Sequence, residues 1–451
     1  MFDLIVACTQ SCGIGFNDKI PWCQPEDLKI FKTVTQDSIL IMGRVTVESL
    51  PLLKNRTIIC ISRNKVLKQD KNNSIICDSI DFALEYCMNH FPTKNIIIAG
   101  GAQIYNEILK NYSHLLNVIH ISMIKEEALC DTFIDDVNLK EFSILEVKNY
   151  TGFVYMKYQN GKYYERYYLD LLKKVAENGS IKNGRNGETK SLFGENLKFN
   201  LLDGFPLLTT KKMFFRGIVE ELLFFLRGDT DSKVLEDKKI NIWKGNTERT
   251  FLDNNNMKDR KEGMMGPLYG YQWRHFNAKY DENTGKNLEQ GIDQLENVVQ
   301  LLRTDPNSRR ILLTDYNPLQ ASQGVLYPCH SIIIQFYVDD GYLDMFCYNR
   351  SQDLFLGVPF NIASSALLLT IIAKLTNLTA RHLNISMGDC HIYKQHYCII
   401  SQQISRDCKV FPQLKINAEL KNLKDIENLN FEDFILENYI SHPAIKAEMI
   451  A

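Results

Sequence analysis

The chain has 451 residues, 45% of them hydrophobic and 24% charged, with a formal net charge of −2. That length holds two or three domains, each with its own core, and the near-neutral charge argues against a general nucleic-acid or membrane-surface binder. No apolar run reads as a membrane span of about 18 residues, and the twelve cysteines contain no C-x-x-C pair, so reduced thiols in a cytoplasmic protein are expected, with neither a disulfide framework nor a metal site.

Met1 to Ala7 is a short apolar run holding one acid and no basic flank, which reads as a first strand and not as a signal peptide. "LIVAC" (4–8), "SILIMG" (38–43), "TIICIS" (57–62) and "NIIIAG" (95–100) are near-continuous apolar segments, as expected of strands buried on both faces of a mostly parallel sheet. "PEDLKIFKTV" and "SIDFALEYCM" lie between them as helices, and the alternation predicts a doubly wound α/β domain. Ligands of such sheets bind beyond the carboxyl ends of the strands. Three strands end there in Gly43-Arg44-Val45-Thr46, Ser62-Arg63 and Gly100-Gly101-Ala102. Arg44 and Arg63 suit a ligand with an extra phosphate, favouring NADPH over NADH. Each turn alone is weak, since glycine after a strand most often only turns the chain, and Gly13 and Gly15 lack the third glycine of a dinucleotide fingerprint. Asp27 and Glu26 fall in a first helical turn behind Pro25, where an acid most often only complements the helix dipole.

After about residue 160 the texture changes to longer helices and strands rich in Phe and Tyr, with no Pro-, Gly- or Ser-rich linker between the halves. "YYERYYLDLLKKVAENG" reads as a helix capped at Asn178-Gly179, 252–263 as an exposed loop, and 362–375 as a buried core helix. On a helix through 214–227, Arg216, Glu220 and Arg227 share one face, while Glu221 sits among Ile218, Leu222 and Phe225. There it is either a satisfied core hydrogen bonder or a catalytic acid/base. "LYPCHSIIIQFYV" sets Cys329 before His330 at the mouth of a strand. A thiol attacks as thiolate and wants cations nearby, which Arg185, Arg309, Arg310 and Arg350 could supply, although paired arginines are more often solvated surface. Cys390-His391 is a rival pair. A zinc site from the two pairs is disfavoured, because adjacent residues make poor tetrahedral ligands.

Residues 1–160 resemble dihydrofolate reductase through "GIGFNDKIPW", "PEDLKIFK", "IMGRVTVESLP", "NRTIICISR", "AGGAQIYNEIL" and "CDTFID". The resemblance implies reduction of dihydrofolate by NADPH, with Asp27 binding the pteridine and helping deliver the proton. An Asp held among Phe31, Ile5, Ala7 and Leu28 is expected to have its pKa raised by desolvation. It further implies that Ile5, Phe31 and Thr132 contact the ring and that Arg56 pairs with the glutamate carboxylate. Ala7, Ile14, Gly15, Gly43, Arg44, Thr46, Ser62, Arg63, Gly100, Gly101 and Tyr105 would hold the cofactor. Ala99 stands where that family usually has a larger Ile or Val.

Residues 161–451 resemble thymidylate synthase, an α+β domain with a large mixed sheet, through "GFPLLTTKK", "RGIVEELLFFLRGDT", "GPLYGYQWRHF", "DPNSRRILL", "PCH", "NRSQDLFLGVPFNIAS", "GDCHIY" and "HPAIKAEM". The resemblance implies that Cys329 adds to carbon 6 of the uracil of dUMP. Carbon 5 then takes the methylene of 5,10-methylenetetrahydrofolate and a hydride from the folate, giving dTMP and dihydrofolate. By the same resemblance Arg185, Arg350 and Ser351 hold the phosphate, with Arg309 and Arg310 reaching in from the other subunit of a homodimer. Asn361 reads the pyrimidine, His391 and Tyr393 hold the ribose, and Glu221, Tyr269 and His330 manage protons. Lys211, Ile242, Trp243, Asp353, Gly357 and Ala451 contact folate. Departures are Tyr327 for a proline, Asn349 for a glutamine, Phe224 for a tryptophan and Ser365 for a tyrosine. A dCMP hydroxymethylase is the rival enzyme, disfavoured because the Asn361 amide can both donate and accept. An inactive binding protein is disfavoured because every reacting group is present.

Overall fold

The computed structural model describes residues 2–448 apart from 65, 92–93, 127, 136, 138, 140–141, 161–163 and 185, and the side chains of 114 and 143. The chain forms two compact units, Met1–Lys162 and Tyr163–Ala451.

The first unit is built on an eight-stranded sheet. From edge to edge it runs Ile75–Cys77, Thr57–Ile61, Ile39–Gly43, Ile96–Ile98, Phe2–Thr9, Leu116–Ile124, Phe153–Asn160 and Phe142–Asn149. The first six strands are parallel and the last two antiparallel. The apolar runs are continuous because alternate side chains enter two different cores. Leu4, Val6, Ile39, Ile41, Ile59, Ile96 and Ile98 pack with residues of the helices Ile80–His90 and Ala102–Asn111. Ile5, Leu40, Met42, Ile58, Cys60, Ile97 and Ala99 face the other way, against Phe31 and Val34 of the helix Pro25–Val34. That helix starts with proline in its first turn, where the missing amide costs nothing. Glu26 there is only an exposed partner of Lys29, at 2.6 Å.

The second unit holds a six-stranded mixed sheet in the order Ser180–Gly184, Gly187–Asn200, Thr379–Tyr393, Tyr342–Asp353, Ile333–Asp339, Leu312–Leu313. Its two long central strands, Tyr342–Asp353 and Thr379–Tyr393, are parallel, and the other pairings are antiparallel. The helix Gly357–Leu375 is apolar on all sides and packs on those two strands and on the helix Phe215–Leu226. By length and composition it could cross a membrane, which the expectation of no such run had missed. Its apolar window is 67% buried inside the protein, as a core helix requires.

Three local expectations change. The helix Glu165–Asn178 does end at Gly179, but with φ −67°, outside the left-handed region. Glycine is needed there because a Cβ would lie 2.5 Å from the Val175 carbonyl oxygen. The stretch 252–263 is no plain exposed loop, since the helix Arg249–Asn254 enters it and both Leu252 and Arg260 are buried. Inside, the terminal nitrogens of Arg260 donate to the carbonyls of Met265 and Gln323. Glu220, expected to share a face with Arg216 and Arg227, is buried and ion-paired to Lys238 at 2.6 Å.

A buried carboxyl staples the second unit. Glu165 accepts from the amides and hydroxyls of both Thr209 and Thr210, at 2.6–2.8 Å. The same threonines receive the C-terminal segment through His442 N to Thr209 O and Arg406 Nη1 to Thr210 O. Removing one acceptor group from four buried donors leaves them unpaired together. Glu165→Ala is expected to cost about 3–4 kcal/mol, and Glu165→Gln about half of that. Urea unfolding followed by the fluorescence of Trp243 and Trp273 measures this, and a loss below about 1 kcal/mol would show that the donors find other partners.

Candidate active sites

In the first unit Asp27 lies on the helix Pro25–Val34, opposite the strand Leu116–Ile124. Burial raises its pKa, and a hydrogen bond from the Ser122 hydroxyl pulls the other way without cancelling the effect. Ser122 pairs across strands with Ala7. Ile5, Phe31 and Ala99 belong to the apolar cluster beneath the helix, whereas Leu28 is 59% exposed and does not enclose the acid. Thr132, expected to contact the ring, is placed by a second, smaller sheet. It pairs there with Gly15 and donates to Asp131 at 2.7 Å. Sequence reasoning passed over Ser122, whose only signal is a hydroxyl within the apolar strand "VIHISMI". Arg56 is held against the end of the Asp27 helix, donating to the carbonyls of Lys32 and Thr35.

The glycine turns converge. Gly43 N donates to Gly100 O at 2.7 Å, and a Cβ on Gly101 would stand 2.9 Å from the Thr46 hydroxyl. The Tyr105 ring lies against Gly100, and its hydroxyl donates to Ile5 O at 2.6 Å, tying this end of the sheet to the strand under Asp27. Gly13–Gly15, with Ile14 between them, runs beside Thr132–Phe133. The two arginines differ. Arg44 is paired with Glu48 at 2.8 Å, while Arg63 has no ion pair among the described residues and follows Ser62, whose hydroxyl closes a turn with Asn64.

In the second unit the Cys329 carbonyl accepts from the amides of both Arg350 and Ser351, at 2.8 and 3.1 Å. This pins the thiol beside the end of the strand Tyr342–Asp353. Cys329 Sγ lies 3.4 Å from the Tyr269 hydroxyl. Burial pushes the thiol up, and the Tyr269 bond and the Arg350 charge push it down. Tyr269 stacks on His330 with centroids 4.4 Å apart, and burial holds that imidazole down at about 4. Glu221 accepts from Trp243 Nε1 at 2.8 Å, and its carboxyl is raised to about 7 by burial, the Trp243 bond opposing. Trp243 in turn packs on Tyr269, centroids 5.8 Å apart. Cys390 is different: fully buried, with its thiol pushed up to about 12 by burial.

The parallel register sets Ser351 beside Asp389 and Asp353 beside His391. His391 bonds Asp389 at 3.0 Å and meets the ring of Tyr393 edge-on. Asp353 accepts from the amides of Phe355 and Leu356, fixing the turn into Gly357. The Asn361 amide donates to Gln352 Oε1 at 2.9 Å, as does that of Asn349, whose own oxygen accepts from Ser331 N. Gln352 is thus a hub that sequence reasoning did not single out. Ser365 is buried beside Cys347, and Phe224 lies in the core. Ile242 borders that core, next to Trp243.

Lys211 departs from expectation. It is buried, with Nζ donating to the Phe355 carbonyl and lying 4.2 Å from that ring, so it faces inward and not toward a ligand's carboxylates. Burial lowers it to about 8. Arg309 and Arg310 are exposed in the loop before the edge strand Leu312–Leu313, away from Cys329 in the chain's own fold, with no ion pair among the described residues. Arg185 and Ala451 lie outside the described residues.

Two family models match the chain, dihydrofolate reductase over residues 1–160 and thymidylate synthase over 166–451. Proteins named bifunctional dihydrofolate reductase-thymidylate synthase align over 99% of the chain. The one from Paramecium tetraurelia is 38% identical with 98% of its own length covered, and the one from Leishmania major 35% with 95% covered. One from Arabidopsis thaliana is 36% identical with 88% covered. The chain therefore belongs to the bifunctional dihydrofolate reductase–thymidylate synthase family of enzymes.

Proposed function

We propose that Cys329 is the nucleophile that methylates dUMP and that Asp27 is the acid of dihydrofolate reduction, the two reactions running in one chain. The observation that carries the first assignment is the pinned Cys329, in hydrogen-bond contact with Tyr269 and under the charge of Arg350. In this reading Cys329 Sγ adds to carbon 6 of the uracil, and carbon 5 bonds the methylene carbon of 5,10-methylenetetrahydrofolate. Loss of the carbon 5 proton breaks the bond from the methylene to the folate nitrogen and frees tetrahydrofolate. Its hydride then adds to the methylene carbon as the Cys329 thiolate leaves, giving dTMP and dihydrofolate. Glu221 titrates near neutrality and can pass protons, while His330 stays neutral and orients Tyr269. Arg350 and Ser351 receive the phosphate, Asn361 reads the pyrimidine edge, and His391 and Tyr393 hold the ribose.

In the reductase unit the turns at Gly43 and Gly100–Gly101 bring backbone together with no side chains between, and Arg63 stands ready for a phosphate. These residues fit NADPH, which supplies the hydride when bound. Burial disfavours the charged form of Asp27 and raises its pKa, as a proton donor requires, and Ser122 orients the carboxyl. The dihydrofolate released by the synthase chemistry is what the reductase consumes.

The synthase sheet is covered on one face, and the other presents Ile333, Tyr337 and Phe346, at 44%, 65% and 44% exposure. A second copy of the chain covering this face would form a homodimer and bring Arg309 and Arg310 to its neighbour's site. The twelve cysteines form no disulfide among the described residues, which suits a reducing compartment, the cytoplasm.

Three outcomes test these assignments. Cys329→Ser should abolish tritium release from carbon 5 of dUMP and leave NADPH oxidation by dihydrofolate intact, while Cys390→Ser should be mild in both assays. The reverse ranking of the two cysteines would sink the nucleophile. Asp27→Asn should lower the reductase rate steeply at pH 7 and recover partly at pH 5, where solvent protonates the substrate; a pH-independent loss would mean a binding role only. Mixing Arg310→Ala chains with Cys329→Ser chains should restore synthase activity, since one site per mixed dimer is intact. No recovery after verified subunit exchange would count against shared sites.

A further inference from the structure

Tyr327 precedes Pro328 and Cys329, and it is 46% exposed. Its ring lies under Arg350, with the guanidinium carbon 5.2 Å from the ring centroid. Its hydroxyl meets that of Tyr316 at 2.8 Å, the two rings lying 5.9 Å apart. Tyr316 is itself anchored. Its amide donates to Thr314 Oγ1, that hydroxyl donates to Ile332 O, and Gln294 of the helix Gln294–Thr304 bonds both the amide and the carbonyl of Thr314. Arg350 Nε donates to Pro328 O at 2.9 Å. Among the described residues its two terminal nitrogens have no partner, and no carboxylate pairs with it.

A long exposed arginine normally loses rotamer freedom when it grips an anion. Here that freedom is already restricted: Nε is tied to the backbone, one face of the guanidinium rests on an aromatic ring, and the ring is tied to a rigid strand end. The two terminal nitrogens remain for a ligand. We propose that Tyr316 and Tyr327 form a platform that holds the Arg350 guanidinium in place for the phosphate of dUMP. Tyr327 is a positioning residue, acting through Arg350 and without touching the reacting atoms. The platform rests on the reading of Arg350 as a phosphate ligand.

The test compares dUMP with deoxyuridine, which lacks the phosphate, by titration calorimetry on the full chain. Tyr327→Ala should weaken dUMP about fivefold and leave deoxyuridine unchanged, with the kinetic effect on KM for dUMP and not on kcat. Tyr327→Phe and Tyr316→Phe each remove the same hydrogen bond, so each should cost about twofold and the double variant no more than either alone. Equal weakening of both ligands would mean that Tyr327 merely shapes the pocket, and unchanged dUMP binding would mean that the platform does nothing; either overturns the proposal. Arg350→Ala separates the two levels. It should remove the preference for dUMP, and if the preference survives, the phosphate reading itself falls and takes the platform with it.

Discussion

The synthase site depends on one backbone constraint, the Cys329 carbonyl gripped by the successive amides of Arg350 and Ser351. A single acceptor satisfies two donors at the end of a long strand, so the Cys329 backbone is fixed relative to Arg350, whose charge opposes the rise in the thiol's pKa that burial causes. The neighbouring parallel strand then follows in register, bringing Asp389 and His391 level with Ser351 and Asp353. Parallel pairing at the middle of this sheet has a structural cost, because it needs a long crossover. The crossover is the helix Gly357–Leu375, and its apolar circumference supplies the core that keeps both strands straight.

The electrostatics divide roles that a motif leaves together. Glu221, Tyr269 and His330 look like three interchangeable proton handlers in the sequence. In the fold, burial pushes the Glu221 carboxyl up to about 7 and the His330 imidazole down to about 4. The same desolvation keeps both neutral at low and neutral pH, respectively, because it penalises whichever form is charged. Only Glu221 changes state near pH 7, so it alone suits proton exchange there.

Much of the reductase fold was legible because strands buried on both faces write themselves as apolar runs, and the helix starts at Pro25 and Ala102 follow local chemistry. The site was legible where a motif is contiguous, as at "PCH" and "GDCHIY". What stayed hidden depends on partners distant in sequence. Ser122 is one hydroxyl inside an apolar strand, and only the fold, which pairs it with Ala7 and bonds it to Asp27, shows its place. Lys211 looks like a surface cation until the Phe355 carbonyl and ring are found to receive it. Arg260 and Leu252 sit in a polar, Asn-rich stretch whose composition says nothing of the carbonyls waiting for the guanidinium.

Asp27 and Glu221 solve one problem twice, on different folds. Each is a carboxyl on a helix, desolvated enough to raise its pKa, and each takes a single side-chain donor, Ser122 or the Trp243 indole, that opposes the shift without reversing it. One donor is few for a buried carboxyl; Glu165, which anchors structure, takes four. Burial raises the Glu165 carboxyl as well, despite its four donors, so all three carry the same energetic sign. For an acid whose folded pKa is raised, the folded state binds more protons than the unfolded one between the two values, so stability falls as pH rises through that window. For Glu221 the window runs from the ordinary 4.5 to about 7, and the full cost is present above it. A second donor would relieve that cost and lower the pKa together. At Glu221 the burial that lets the carboxyl hold a proton up to about pH 7 therefore also weakens the fold above it, and at Asp27 burial acts in the same direction.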